Sequence, residues 1–391
     1  MNILFVTYDL PYPTNSGGKT RAYNLLKFAR KDAAITLFSF VRSVPTKADL
    51  DALHELGITD VHFFHRRKVF DPRNLSSLLS GSSIFSSLYF NKNIFSEIIR
   101  IVKAKNIDLV HFESFYTGYY MHHELQSLGI KQVFGTENIE YKIYNDIAKR
   151  QQVYLLQMFL MSQVARIKKE EEKFYELSDC VLTVTREEKE YVRDVSAKRV
   201  EVIENGVDLA SFKQKKGSGD QEKTLLFIGN FSYFPNIDAM RWFMESVFPK
   251  LPQNMKLLVV GKNASKQSFL RDSRVEIVEY VERITEAYSR SMIMIAPIRI
   301  GGGTNFKILE AMASKVPVVA LSDRVGSFGF RDGKELMIAD SALEFTDKII
   351  RLFEDKKLRE SLAANAYMAV EKKYSWTVIG TKLYNTWKSL L

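Results

Sequence analysis

Short apolar runs alternate with amphipathic stretches along the whole chain, and the alternation is clear in the first half. The apolar runs predict seven buried strands: Ile3–Thr7, Ile35–Phe40, Val61–Phe64, Leu109–Phe112, Gln132–Gly135, Val181–Thr185 and Val200–Ile203. The amphipathic stretches predict helices at Arg21–Ala29, Lys47–Leu56 and Ile94–Lys103, and a long one within Ile139–Glu176. Strands that alternate with helices indicate a parallel sheet covered by helices.

The second half repeats this pattern. Its apolar runs predict five strands: Thr224–Ile228, Lys256–Val260, Val275–Val278, Met292–Ala296 and Val316–Ala320. A polar stretch at 213–223 has no apolar period and predicts a surface loop, and the Asn205-Gly206 turn signal places a hinge near Glu204–Asp208. The fold class is therefore α/β with two doubly wound domains, and ligands of such domains bind at the carboxyl ends of the strands.

Composition changes this picture in two respects. The single cysteine, Cys180, excludes an intramolecular disulfide, and no apolar run approaches the roughly 20 residues that span a bilayer, so we expect a cytoplasmic protein. The net charge of the chain is +10, and residues 211–391 alone have a net charge of +8. No nucleic-acid-binding motif accompanies them, so we expect no nucleic acid partner. A phosphorylated small molecule fits better, although a solubilising surface is an alternative.

The segment 296–320 carries the most specific chemistry. A strand is followed by Gly301, Gly302 and Gly303, and an amphipathic helix then opens at Thr304. Glycines let the backbone approach a ligand, and the free N–H groups of a helix start favour a phosphate or diphosphate. Lys307 and Glu310 follow on this helix. Lys307 can serve the diphosphate or pair with Glu310 as a surface ion pair.

This segment, GGGT-x-x-KILEAMA-x-x-VPVVA, resembles the donor-site signature of glycosyltransferase family 4, whose members have the GT-B fold. The N-terminal 26 residues, VIENGVD at 202–208, residues 225–240 and KKYSW at 372–376 resemble further family segments in the family's order. The resemblance implies two Rossmann-like domains facing across a cleft. Residues 1–205, with a return helix at 375–391, would bind the acceptor, and residues 206–374 would bind a nucleotide sugar.

The resemblance also implies the donor-site residues. Those expected to bind the donor and its diphosphate are Gly17, Gly18, Lys19, Gly229, Asn230, Arg299, Gly302, Gly303, Thr304, Lys307 and Glu310. Two departures from the family pattern stand out. Gly302 occupies the position of the first glutamate in the Glu-x7-Glu pair, and no basic residue follows the first strand of the second half before Arg241. Lys307, Arg299 and Lys19 are therefore the expected compensating cations.

Three residues are candidates for catalysis: His111, Glu137 and Glu310. A histidine often follows the corresponding strand in the family, although His111 can equally be a structural histidine. Glu137 lies in the motif TENIE, where crowded carboxylates raise their own pKa values and suit proton uptake from an acceptor hydroxyl. No histidine pair and no Asp-x-Asp spacing accompanies these candidate residues, so we expect no metal and no other cofactor.

The acceptor is expected to be a glycan or a lipid-linked molecule. Residues 65–100 and 142–169 mix basic and apolar side chains, which can lie in a lipid headgroup layer at the inner face of the cell membrane, although we favour a helix that packs between domains and ends in a solvated charged stretch. The resemblance implies a retaining glycosyltransferase of surface polysaccharide or glycoconjugate synthesis. A non-hydrolysing sugar-nucleotide epimerase and a catalytically weakened scaffold are the alternatives.

Overall fold

The computed structural model describes residues 1–30, 33–65, 81–196, 198–212, 223–300 and 306–391. Within them the chain divides into two compact units. The first contains Met1–Glu204 and Ile379–Leu391, and the second contains Asn205–Val378. The division after Glu204 lies in the segment 204–208, where the sequence predicts a hinge.

The first unit is built on a seven-stranded sheet in which all strands are parallel. The strands are β1 (Asn2–Thr7), β2 (Ala34–Val41), β3 (Asp60–His65), β4 (Leu109–Glu113), β5 (Lys131–Gly135), β6 (Cys180–Thr183) and β7 (Arg199–Val202). Their order across the sheet is β3-β2-β1-β4-β5-β6-β7. All seven predicted strands are present, because both faces of a parallel sheet are buried and its strands stand out as apolar runs.

Helices of this unit connect the strands. They are α1 (Gly17–Ala29), α2 (Lys47–Glu55), α3 (Ile84–Tyr89), α4 (Lys92–Ala104), α5 (His123–Ser127), α6 (Glu140–Lys149), α7 (Tyr154–Leu177) and α8 (Arg186–Val195). The long helix predicted within 139–176 is thus two helices. The carboxylate of Glu171 in α7 accepts hydrogen bonds from the N–H groups of Glu140 and Tyr141, so α7 folds back on the start of α6.

The second unit has a six-stranded parallel sheet. Its strands are β8 (Thr224–Ile228), β9 (Lys256–Val260), β10 (Val275–Val278), β11 (Ile293–Ala296), β12 (Val318–Ala320) and β13 (Met337–Ile338), in the order β10-β9-β8-β11-β12-β13. The sequence did not predict β13, because two residues are too few to show a period. Leu225 and Phe227 face one core and Leu226 faces the other, as alternation along a strand requires.

Seven helices complete the described part of the second half. They are α9 (Phe234–Ser246), α10 (Ile284–Ser289), α11 (Phe306–Ala313), α12 (Ser322–Val325), α13 (Ala342–Glu354), α14 (Lys356–Lys373) and α15 (Trp376–Lys388). Helix α15 begins in the second unit, and its residues from Ile379 onward belong to the first. Across the ranges that the structure describes, no helix is both long enough and apolar enough to cross a membrane.

Candidate functional site

Polar side chains gather at the carboxyl edge of the first sheet, where β1, β4 and β5 lie side by side. Thr7, Glu113 and Gly135 are in register at the ends of these three strands. Tyr8 directly follows β1, and Glu137 follows β5 after one intervening residue, Thr136. Because the carboxyl ends of parallel strands share one edge of the sheet, residues far apart in sequence meet here.

Glu113 is the centre of a buried charge network. Its Oε1 accepts a hydrogen bond from Arg21 Nε at 2.7 Å, and its Oε2 lies 2.7 Å from His111 Nε2. Arg21 Nη1 also donates to the carbonyl of Ile203 at 2.9 Å. Burial alone would raise the pKa of Glu113, but the Arg21 charge and the His111 hydrogen bond lower it to about 2. Glu113 is therefore an anion at neutral pH.

His111 has both ring nitrogens engaged. The indole Nε1–H of Trp387 donates to His111 Nδ1 at 3.1 Å, so Nδ1 is an acceptor and the ring proton sits on Nε2, facing Glu113. Phe5 stacks on the ring with centroids 4.4 Å apart, and His111 is fully buried. Burial lowers its pKa, which agrees with a neutral ring. This geometry holds the His111 ring in place from both sides; its role in catalysis stays a prediction.

Glu137 lies against the start of helix α1. A Cβ added to Gly18 would stand 2.6 Å from Glu137 Oε1 and 2.5 Å from the Tyr8 hydroxyl, so both groups converge on this glycine. Within the described ranges, Glu137 Oε1 is buried and has no hydrogen-bond partner. Burial, and secondarily the negative charge of Glu113, raises the pKa of Glu137 to about 8. The direction agrees with the expectation from the TENIE motif, but burial rather than crowding of carboxylates is the larger cause.

An open pocket adjoins Tyr8. It has a volume of about 480 Å³ and lies at the ends of β1 and β2. Its polar lining includes Asp9, which is 3.7 Å from Lys19 Nζ and 3.9 Å from Arg42 Nε. Helix α1 begins at Gly17, and no side-chain hydrogen bond from Ser16 caps it. The pocket thus mixes donors and acceptors, as a polyhydroxylated ligand requires.

The second carboxylate of the TENIE motif, Glu140, lies in a cluster of tyrosines. Glu140 Oε1 accepts a hydrogen bond from the Tyr116 hydroxyl at 2.7 Å, and Tyr116 lies 3.3 Å from the Tyr144 hydroxyl. The Tyr116 ring also contacts Tyr8, with centroids 5.4 Å apart. Burial raises the pKa of Glu140, and the Tyr116 hydrogen bond opposes this shift. Tyr116 therefore links this cluster to Tyr8.

The second unit brings Gly229, Asn230 and Lys307 together through Asn236. The Asn236 side chain donates to the carbonyl of Asn230 at 2.9 Å and accepts from Lys307 Nζ at 3.1 Å. A Cβ on Gly229 would stand 2.8 Å from Asn236 Cγ, so only a glycine leaves room for this amide. Lys307 Nζ also lies 4.6 Å from the Phe227 ring centroid. Lys307 is thus partly buried at the carboxyl end of β8.

Lys307 and Glu310 make their hydrogen bonds to different partners. The Tyr288 hydroxyl donates to Glu310 Oε2 at 2.9 Å. Burial lowers the pKa of Lys307 to about 8, while the Glu310 charge acts in the opposite direction. Burial also raises the pKa of Glu310, against the effects of the Tyr288 hydrogen bond and of Lys307. The alternative of a solvated surface pair does not describe these two partly buried residues.

The remaining donor-site predictions have different outcomes. Arg299 Nη2 and Nε bond to the two carboxylate oxygens of Asp238 at 2.7 and 3.1 Å, so the charge of this expected cation is already matched. Gly302, Gly303 and Thr304 lie outside the described residues. Sequence reasoning missed Asn236 and Arg21, and it placed Glu113 at a strand end without giving it a role. Asn236 belongs to a Phe-Pro-Asn segment that is typical of a helix start, so the sequence does not indicate that it bonds to a lysine. Arg21 and Glu113 are 92 positions apart, so no local pattern indicates that they form a pair.

Comparison with known families covers most of the chain. Residues 16–211 match the family described as Glycosyltransferase Family 4, and residues 222–355 match the one described as Glycosyl transferases group 1. The chain belongs to glycosyltransferase family 4. This membership confirms the resemblance stated from the motifs. The first matched range contains Glu137, and the second contains Lys307.

Curated relatives match shorter parts. An uncharacterized glycosyltransferase of Methanocaldococcus jannaschii is 25% identical over 237 residues, which is 53% of this chain and 59% of that protein. The capsular polysaccharide biosynthesis glycosyltransferase CapM of Staphylococcus aureus is 28% identical over 146 residues, or 34% of this chain and 38% of CapM. These matches therefore span at most about three-fifths of the relatives' own length.

Solved structures with the same fold match the whole chain. Sucrose-phosphate synthase of Thermosynechococcus elongatus has a TM-score of 0.73 at 15% identity, covering 100% of this chain and 99% of that one. Anabaena HepE in complex with UDP has a TM-score of 0.69 at 14% identity and full coverage of both chains. HepE has also been solved with UDP-glucose, with a TM-score of 0.67 at 14% identity and full coverage of both chains. These matches confirm the predicted GT-B fold.

Proposed function

We propose that this protein is a retaining glycosyltransferase that moves a sugar from a nucleoside diphosphate sugar to a glycan or lipid-linked acceptor. The hydrogen bond between Lys307 and Asn236 carries the proposal. It holds a partly buried cation against a neutral amide, and in the sequence this lysine follows the glycine run at 301–303 by four positions. A diphosphate supplies the negative charge that such a cation attracts. Membership of glycosyltransferase family 4 supports the same ligand class.

On the donor side, we assign the diphosphate to Lys307 and to the backbone N–H groups of Gly302, Gly303 and Thr304. Gly229 and Asn230 lie at the end of β8, within the same cluster as Lys307. Glu310 accepts a hydrogen bond from a hydroxyl of the ribose or of the sugar. HepE, which shares the fold, has been solved with UDP and with UDP-glucose, and this supports a nucleotide sugar as the donor.

Protein groups, without a metal ion or other cofactor, stabilise the leaving group in this proposal. The bond between the anomeric carbon and the diphosphate oxygen breaks while the acceptor oxygen bonds to that carbon. Negative charge grows on the departing oxygen, which takes up the proton of the acceptor hydroxyl. Fixed donors and cations aimed at the developing charge are the main source of acceleration in such reactions. Because the pKa of Lys307 is lowered to about 8, the bound diphosphate also favours the charged form of the lysine. Arg299 contributes only as far as Asp238 releases it.

On the acceptor side, we assign the acceptor hydroxyl to Glu137. Gly18 lies against Glu137 in the first unit, so we now assign Gly17, Gly18 and Lys19 to the approach of the acceptor rather than to the donor, where the sequence analysis put them. The unpartnered Oε1 of Glu137 supports this assignment, because a buried carboxyl oxygen without a partner gains a hydrogen bond with an incoming hydroxyl. Two charges of the Arg21–Glu113–His111 network act on Glu137: the Glu113 carboxylate raises its pKa, and the Arg21 cation opposes this. His111 acts through Glu113 as a positioning residue.

The acceptor class is proposed from the relatives and the charge pattern. CapM is a capsular polysaccharide biosynthesis glycosyltransferase, which supports a role in surface polysaccharide synthesis. A lipid-linked acceptor places the enzyme in the cytoplasm at the inner face of the cell membrane. The basic and apolar residues between 142 and 169 support such a location.

Titration calorimetry with UDP, GDP and ADP, each against its nucleoside, tests the donor site. We expect one diphosphate to bind at least tenfold more tightly than its nucleoside. Lys307→Met should remove most of this preference, because it removes the charge and keeps the apolar stem. Lys357→Met, which removes an exposed charge from the same unit, is the matched control. Equal affinity for nucleoside and nucleoside diphosphate in the wild type would show that the diphosphate site does not exist.

One observation favours a second candidate. Gly302 stands where the family pattern has the first glutamate of its pair, so a sugar-gripping carboxylate is missing from that position. A scaffold weakened in this way would bind the nucleoside diphosphate and leave the donor sugar intact. Measuring both nucleoside diphosphate binding and turnover of the donor sugar distinguishes the two candidates. The enzyme shows both, and the scaffold shows binding alone.

A further inference from the structure

The turn between α6 and α7 and the start of α7 expose an unusual number of apolar side chains. Leu155 is 76% exposed, Tyr154 68% and Val153 60%. Eight of the nineteen large apolar residues that are exposed among the described residues lie between 147 and 161; the other five here are Ile147, Leu156, Met158, Phe159 and Met161. We call residues 147–161 the apolar tip. Scattered exposed apolar residues are ordinary, whereas a contiguous group marks an interaction surface.

The apolar tip is an extension of a well-anchored helix. The buried residues of α7 all lie beyond the tip, from Gln163 to Leu177. Arg166 Nη1 donates to the carbonyl of Ser82 at 3.0 Å, and Glu171 caps the first N–H groups of α6. The second half of α7 therefore fixes the direction in which the first half projects.

The distribution of apolar residues around the helix distinguishes between possible occupants. A helix that docks into a protein groove presents one stripe, with apolar residues three or four positions apart. Here Tyr154, Leu155 and Leu156 are consecutive and all exposed, and consecutive helical residues point about 100° apart. Met158, Phe159 and Met161 extend this exposure along the next turn. A helix end that is apolar all round fits an apolar medium better than a groove.

The charges beside the tip favour an anionic lipid surface. The apolar tip itself contains two basic residues, Lys149 and Arg150, and no acidic residue. Lys149 and Arg150 are exposed at the end of α6, directly before the turn. Basic side chains next to apolar ones bind the headgroups of anionic lipids while the apolar side chains enter the acyl boundary.

We propose that the apolar tip docks this protein onto an anionic lipid bilayer, with Lys149 and Arg150 at the headgroups. The inference deepens the proposed function and rests on it for its consequence, which is delivery of the active site to a lipid-linked acceptor. The docking itself belongs to α6 and α7 of the first unit.

Co-sedimentation with vesicles tests the proposal on the full chain. The probes are vesicles of phosphatidylcholine alone and of phosphatidylcholine with phosphatidylglycerol. We expect at least tenfold stronger partitioning onto the anionic vesicles, and weaker binding at high salt. Leu155→Ser with Met158→Ser should reduce this partitioning at least tenfold. Lys149→Gln with Arg150→Gln should remove the preference for phosphatidylglycerol.

The matched control replaces two apolar residues of similar exposure elsewhere: Leu343→Ser with Met368→Ser, which are 65% and 56% exposed in the second unit. This variant should sediment like the wild type. All variants should keep the wild-type melting temperature, because the substituted side chains are exposed.

Two outcomes would overturn the docking. The first is wild-type protein that stays in the supernatant with both vesicle types. The second is a concentration-dependent dimer that Leu155→Ser with Met158→Ser dissociates, since the tip would then bind a second copy of the chain. Nucleoside diphosphate binding is measured in parallel. Its absence in a wild type that still binds vesicles would defeat the proposed function and leave the docking standing.

Discussion

Replacing Glu137 by glutamine should make the protein more stable at alkaline pH and leave its stability at acid pH unchanged. Burial, and secondarily the Glu113 charge, raises the pKa of Glu137 from its ordinary value of 4.5 to about 8. A group whose folded-state pKa is raised holds its proton more tightly in the folded chain than in the unfolded chain. The stability that this proton contributes is complete below pH 4.5 and is lost as the pH rises to 8.

The interval between 4.5 and about 8 sets the size of the effect. A pKa difference of one unit between the folded and the unfolded chain corresponds to about 1.4 kcal/mol of stability. The full interval therefore gives an upper bound of roughly 5 kcal/mol. Glu137 is partly exposed, and water reduces the cost of its charge, so we expect about 2–4 kcal/mol. Glutamine has nearly the same shape and does not ionise, so it avoids this cost.

Urea unfolding between pH 4 and pH 9 measures the difference. Trp387 belongs to the same unit as Glu137 and bonds to His111, so its fluorescence reports on that unit. Both proteins should carry Trp242→Phe and Trp376→Phe, which leaves Trp387 as the single reporter. We expect the two stability curves to coincide at pH 4 and to separate steadily up to pH 8. Curves that run parallel over the whole range would refute the raised pKa.

Three further substitutions test the two clusters. Arg21→Met should lower the free energy of unfolding by about 3–5 kcal/mol, because it leaves the buried Glu113 charge without its cation; urea unfolding at pH 7 measures this. Asn236→Ala should weaken nucleoside diphosphate binding about tenfold in calorimetry, because Lys307 loses its positioning amide, and unchanged affinity would contradict that role. Glu310→Gln should keep the fold and cost roughly tenfold in sugar transfer, measured by product formation.

The sheets could be predicted from the sequence because their strands are buried on both faces. Strands such as β1 and β8 appear as continuous apolar runs with polar residues at their ends. Strand β13 could not be predicted, since its pairing with β12 is set by tertiary contacts rather than by its two residues. The break between α6 and α7 contains neither glycine nor proline, and only the capping by Glu171 reveals it.

The candidate site was predictable where a motif places several groups close together in sequence. Lys307 and Glu310 follow a glycine run, and Glu137 follows a strand, so local rules identify them. The partners that decide their chemistry come from distant segments. Asn236 reaches Lys307 across 71 positions, and Glu113 meets Arg21 across 92. No local pattern indicates such pairs, and therefore the positioning role of His111 could not be separated from a catalytic one.

Turnover of a nucleotide sugar tests the central proposal most directly. The protein is incubated with UDP-, GDP- or ADP-glucose or galactose, with and without a membrane lipid extract as the source of acceptor, and the products are followed by NMR. The account predicts release of the nucleoside diphosphate with its sugar transferred, or slowly hydrolysed, and loss of this release in Lys307→Met. An isomerised sugar on an intact nucleotide would indicate an epimerase, and no change with any donor that binds would indicate a scaffold; either result would contradict the account.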